Sequence, residues 1–95
     1  EEVEEALKEH DSVRDSLVVG VPDDKWGQAV TGVVELADGA VIDEDTLRAF
    51  VRTKLAAYKA PKRVLFLSDL KRAPNGKADY KNIRAFAYDQ LGIPS

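Results

Sequence analysis

A single lysine, Lys77, directly follows an Asn-Gly pair in the stretch RAPNGKADY, residues 72–80, with Pro74 just upstream. An ammonium group on a long flexible stem at the tip of a turn has two uses: it solvates a surface, or it reaches toward negative charge gathering at a reacting centre. On local pattern alone, Asn75 and Gly76 are turn formers and Lys77 is a solvated surface residue. KRAPNGK is not a phosphate-cradling G-x-x-x-x-G-K-[ST] loop, because Lys71 stands where Gly is needed and Ala78 where Ser or Thr is needed. The absence of cysteine excludes disulfides and thiolate chemistry, and the single histidine, His10, reads as a surface residue. No HxxxH or comparable ligand cluster is present, so no metal site is expected in the chain itself.

Charge is the second signal. The chain carries a net −3, but residues 52–84 hold ten basic and two acidic residues, a balance of +8, against −11 elsewhere. Such segregation suggests a face built for an anion, and the plain alternative is solvation of helix and loop surfaces. A small anion- or nucleic-acid-binding module would explain the basic stretch. No RNA- or DNA-binding signature accompanies it, however, and the first half is strongly acidic, so no nucleic-acid partner is expected. A protein-interaction domain presenting the acidic run EEVEEALKE is the other non-enzymatic reading.

Six elements must position these residues. Val3, Ala6 and Leu7 make residues 1–10 an amphipathic helix with glutamates in its first turn. SLVVGV (16–21) and AVTGVVEL (29–36) read as strands, antiparallel because the loop between them is short. Asp43 caps a second helix, with Ile42 and Leu47 placed for a hydrophobic staple, and Leu47, Phe50, Val51, Leu55 and Tyr58 follow helical spacing until Pro61 stops it. VLFL (64–67) is a third strand, and Asp79 caps a last helix running through Tyr80, Ile83, Ala87 and Leu91. The order αββαβα predicts an α+β domain, with three helices on a small mixed sheet of about three strands. At 95 residues, with 44% hydrophobic and 33% charged composition, the chain suits one domain with a modest core. No apolar run reaches membrane-spanning length, so a soluble, cytoplasmic protein is expected. With no methionine anywhere, the chain is expected to be a piece of a longer protein.

VVGVPDDKWGQAV (18–30), DEDTLRAFVRTKLAAYKAPKRVLFLSDL (43–70) and RAPNGKADY, in this order and spacing, resemble the C-terminal domain of the adenylate-forming enzymes, most closely the acyl-CoA synthetases. The resemblance spans nearly the whole chain. Near the turn that family runs Leu-Pro-Arg-Thr-x-x-Gly-Lys, and Leu70, Arg72, Gly76 and Lys77 match it. Lys71 replaces the Pro, Ala73 the Thr, and Tyr80 stands where a basic residue is common.

The resemblance implies that residues 1–95 form a mobile C-terminal lid domain, whose hinge and large N-terminal partner domain lie outside the chain. It implies ATP and CoA as substrates beside a carboxylic, typically fatty, acid, with Mg²⁺ bound to ATP mainly by the N-terminal domain. Lys77 would then be the adenylation lysine, supported by Gly76 and Arg72. A CoA-binding role falls on Trp26 and Tyr58, as stacking platforms, and on Lys25, Lys59, Lys62 and Arg63, as cations for phosphates. The plain readings are a buried Trp26 and a core Tyr58 on the stripe of the second helix. A peptide-synthetase or acyl-AMP ligase adenylation domain is the alternative within the same superfamily.

Overall fold

The computed structural model describes residues 2–25 and 27–94; the expectations placed on Trp26 therefore lie outside the described residues. Helix α1 (Glu2–Lys8) is followed by strands β1 (Val13–Asp23) and β2 (Gly27–Leu36), helix α2 (Glu44–Lys54), a 3₁₀ turn (Ala57–Lys59), strand β3 (Arg63–Phe66) and helix α3 (Tyr80–Leu91). This is the αββαβα order of an α+β domain. The strands form one mixed sheet in the order β1-β2-β3. β1 and β2 are antiparallel from Val13↔Leu36 to Asp23↔Gly27, and β3 runs parallel to β2 from Thr31↔Arg63 to Val34↔Phe66.

Alternation along the strands divides the apolar side chains between two faces. Leu17, Val19, Val21, Ala29, Val33 and Leu65 meet Leu70 and the α3 residues Ile83 and Ala87 on one face. Val34 and Val64 meet Ala6 and Leu7 of α1 and Leu47 and Val51 of α2 on the other. Val13 has the parity of Leu17 yet joins the α1/α2 core. The register shift between Val13 and Asp15 explains it, since one extra residue flips every side chain beyond it. Downstream of the shift Asp15 has the parity of Leu17 and Ser16 that of Val18. Buried Ser16 accordingly donates its hydroxyl to the Glu4 carbonyl oxygen of α1 at 2.7 Å. Gly32 allows α1 to lie this close, because a Cβ there would stand 3.0 Å from Leu7 Cδ1.

Both predicted helix caps are present. The Asp43 carboxylate accepts from Thr46 N at 2.7 Å and the Asp79 carboxylate from Asn82 N at 3.2 Å. Ile42 packs on the same core as Leu47, as the staple requires. The end of the second helix differs from expectation. α2 stops at Lys54, where Leu55 takes an extended backbone (φ −128°, ψ 160°), so that Leu55 and Ala60 both fold onto the α1/α2 core. Arg48 Nε, from α2, donates to the Pro61 carbonyl oxygen at 3.1 Å and pins the returning chain. Tyr58 is thereby turned outward at 85% exposure, which rejects its reading as a core residue.

Candidate functional site

The segment carrying Lys77 leaves the sheet in steps fixed by hydrogen bonds. Leu67 N donates to the Val34 carbonyl oxygen at 3.0 Å, and the N–H of buried Leu70 donates to Glu35 Oε1 at 3.1 Å. Lys71 then adopts a left-handed backbone (φ 57°), with its N–H donated to Asp69 Oδ1 at 2.7 Å. The chain reverses between Ala73 and Lys77. Ala73 N donates to the Lys77 carbonyl oxygen at 2.9 Å and Gly76 N to the Ala73 carbonyl oxygen at 2.7 Å. Pro74 and Asn75 hold the central turn positions, so the turn lies one residue earlier than the Asn-Gly pair suggests. Gly76 (φ 85°) closes it in a conformation that other residues adopt only with strain. Residues 73–77 are all exposed. Lys77 closes the reversal, is exposed, and makes no ion pair among the described residues.

Polar ties hold both ends of this segment. On the incoming side Arg72 grips Asp15 with two bonds, Nε to Oδ2 at 2.6 Å and Nη2 to Oδ1 at 3.0 Å. Its Nη1 reaches the Gly76 carbonyl oxygen at 3.1 Å. The bond from Arg72 holds the Asp15 carboxyl below the usual carboxylate range, against the opposing effect of burial, and Asp15 in turn raises the Arg72 guanidinium. On the outgoing side Tyr80 Oη donates to Glu4 Oε2 at 2.8 Å, and the same oxygen accepts from Val18 N at 2.9 Å on the outer edge of β1. Asp15 and Glu4 were not among the expected site residues. Their partners lie 57 and 76 residues away in sequence, and no local pattern announces either pairing.

The segregated charge resolves mostly into pairs between distant segments. Lys54 meets Glu9 at 3.2 Å, Lys59 meets Glu2 at 3.0 Å, and Lys62–Asp23, Arg63–Glu44 and Arg72–Asp15 each close at 2.6 Å. Of the ten basic residues between 52 and 84, only Arg52, Lys71, Lys77, Lys81 and Arg84 lack an ion pair among the described residues. Four of these five fall between residues 71 and 84, in the Lys77 loop and the first turns of α3.

The residues proposed for CoA are only partly brought together. Tyr58 separates two neighbouring grooves: one of about 400 Å³ lined by Gln28, Ala29, Val30, Ala60 and Lys62, and one of about 500 Å³ lined by Glu2, Val3, Val18, Val30 and Lys59. Each groove thus holds the exposed Tyr58 ring and one lysine, and both lysines are ion-paired, Lys62 with Asp23 and Lys59 with Glu2. Lys25 is exposed, with its backbone N–H on Asp23 Oδ2 at 3.2 Å. Arg63 instead faces Glu44 at the start of α2. Burial pushes the Glu44 carboxyl up, but the bonds from Arg63 and from Val64 N outweigh it and hold the group low. His10 is part-buried, accepting at Nδ1 from Ser12 N at 3.0 Å and meeting the Phe50 ring edge-on at 4.8 Å. Among the described residues no group of three or more His, Cys, Asp or Glu side chains is placed to hold a metal, and no helix is long and apolar enough to cross a membrane.

A family model described as "AMP-binding enzyme C-terminal domain" matches residues 2–77, ending on the candidate lysine itself. The chain belongs to that family. The domain is 48% identical over 93 residues to a 3-oxocholest-4-en-26-oate–CoA ligase of Rhodococcus rhodochrous, an alignment covering 98% of this chain and 16% of the relative. It superposes on a fatty acyl CoA synthetase of Mycobacterium tuberculosis with a TM-score of 0.84 at 30% identity, over 98% of this chain and 18% of the other. An amide bond synthetase, McbA, of Marinactinospora thermotolerans gives a TM-score of 0.82 at 44% identity, over 88% of this chain and 17% of that one. The chain thus spans about a sixth of the length of the curated relatives it matches.

Proposed function

We propose that this chain is the C-terminal domain of an ATP-dependent acid–CoA ligase, and that Lys77 is its adenylation lysine. In the first half-reaction a carboxylate oxygen of the acid attacks the α-phosphorus of Mg-ATP, and pyrophosphate leaves. In the second, the CoA thiol attacks the acyl carbonyl of the adenylate, and AMP leaves. The N-terminal domain would hold the ATP, its Mg²⁺ and the acyl group, and this domain would bring Lys77 to the first step and turn it away for the second. The cytoplasm is the compartment this reading favours, because ATP and CoA are its substrates.

The observation that carries the reading is the state of Lys77. Its ammonium group is exposed and unpaired among the described residues, on a turn tied at both ends, at the position where the family's lysine falls. An ammonium delivered into a water-poor site offsets the negative charge that grows as carboxylate and phosphate approach. Lys77→Ala in the full-length enzyme should slow adenylation by about 10²–10³-fold, the cost of removing one charge-stabilising donor. Thioester formation from a supplied acyl-adenylate should fall far less. Equal losses in the two half-reactions would count against the role.

A second reading draws on the match to an amide bond synthetase. The adenylate would then pass to an amine in place of a thiol, with Lys77 keeping its part in the first step. Mass analysis of products formed with CoA and with simple amines separates the two acceptors.

A further inference from the structure

We propose that Asp15 and Glu4 are positioning residues for adenylation, setting the height of Lys77 through Arg72 and Tyr80. This rests on the reading of Lys77 as the adenylation lysine. Residues 73–77 are exposed throughout, so no apolar burial fixes the turn. Polar ties do that instead, one on each flank.

The incoming flank is the more rigid. Arg72 is a planar fork held by both oxygens of one carboxylate, which fixes its orientation as well as its place. Its third bond, to the Gly76 carbonyl oxygen, transmits that orientation directly to the residue before Lys77. Asp15 can serve because of the register shift just before it, which aims residue 15 to the side of the sheet that carries Leu70 and α3. On the outgoing flank Glu4 hangs over the free edge of β1 and accepts from both Val18 N and Tyr80 Oη. With both flanks fixed, the lysine stem is the one long free arm of the turn, and a lysine must be placed closely: a misplacement of about 1 Å at a reacting centre can lower a rate about 10²-fold.

The test uses the full-length enzyme, with the two half-reactions, the KM for ATP and the melting temperature measured for each variant. Asp15→Asn should slow adenylation about 10- to 100-fold while leaving thioester formation from supplied acyl-adenylate and the KM for ATP within about twofold. Arg72→Lys, which keeps the charge but loses the fork, should match it. Tyr80→Phe should lose about fivefold in adenylation, the worth of one hydrogen bond. The deciding measurement is the double variant. In a Lys77→Ala background Asp15→Asn should change adenylation by less than about twofold, because a residue acting through Lys77 has nothing left to position. Should Lys77→Ala leave adenylation intact, the underlying reading fails. If Lys77→Ala is crippling but Asp15→Asn is harmless, or slows adenylation equally with and without Lys77, the positioning role alone is overturned. Parallel loss of both half-reactions with a lower melting temperature also overturns it. Tyr80→Phe, which removes only an exposed hydroxyl, decides by the same criteria if Asp15→Asn does not fold.

Discussion

Lys71 stands where the adenylate-forming enzymes that the sequence resembles carry proline, and its backbone gives the difference a measurable meaning. At φ 57° it is the one non-glycine residue among those described with a positive φ. For an L-residue that conformation costs about 1–2 kcal/mol, which Lys71→Gly would relieve. Against this stands the extra freedom glycine gives the unfolded chain, about 0.4–1 kcal/mol. Lys71→Gly should therefore stabilise the domain by about 0.5–1 kcal/mol, raising its melting temperature by a few degrees. Proline, the residue of the family pattern, should do the opposite. Its ring locks φ near −65°, about 120° away from the conformation seen, and it has no N–H to donate to Asp69 Oδ1. The lost bond alone accounts for about 1 kcal/mol, and either strain or a rearranged turn adds to it. Because Arg72 comes next in the chain, a rearranged turn would also slow adenylation. Thermal unfolding of the two variants beside the parent protein is the assay. A Lys71→Pro protein as stable and as active as the parent would refute the described path into the Lys77 turn.

Thr31 is fully buried with no hydrogen-bond partner for its hydroxyl among the described residues, so Thr31→Val should stabilise the domain by about 1 kcal/mol in a denaturant titration. An unchanged or lower midpoint would mean that the hydroxyl is satisfied. Tyr58→Ala removes an exposed ring and should shift stability by no more than about 0.5 kcal/mol. If the grooves beside Tyr58 take the CoA base, the same change raises the KM for CoA about 5- to 150-fold with pyrophosphate release unaltered. For Asp15, whose folded carboxyl is held low by Arg72, the stabilisation is complete above about pH 4, the ordinary carboxylate value, and is lost as pH falls through the lowered one. The melting temperatures of the parent and Asp15→Asn proteins should accordingly converge as the solution is acidified, and a constant gap would dismiss the coupling.

Much of the fold was legible because its signals are local. Apolar runs, β-branched in the first two, mark the three strands, and Asp43 and Asp79 each sit where a side chain caps the following helix. Tyr58 shows where local signals mislead: it keeps the spacing of the α2 stripe, but Leu55 and Ala60 gain more by folding onto the core than the helix gains by continuing. The register shift before Asp15 is invisible for a related reason, since periodicity read within one strand carries no information on how its neighbour is paired. Lys77, Gly76 and Arg72 stood out as candidates through a motif. Asp15 and Glu4 did not, because each meets Arg72 or Tyr80 across a long stretch of sequence, and such contacts leave no trace in spacing or composition.

The ion pairs between distant segments carry a consequence for the state from which the domain folds. Glu2, Glu9, Asp15, Asp23 and Glu44 all precede residue 52, and the cations they meet all follow it. In the unfolded chain these are a negatively charged first half and a positively charged stretch on one flexible polymer, and they attract before any native contact exists. The denatured ensemble is therefore drawn inward by the same charges that the native pairs use. Folding gains only the difference between a diffuse attraction and a specific one, which is why so many close pairs return little net stability to the domain. Their larger effect is on the search: loops joining the two halves are partly closed in advance, and the entropy of closing them is met by the composition of the unfolded chain.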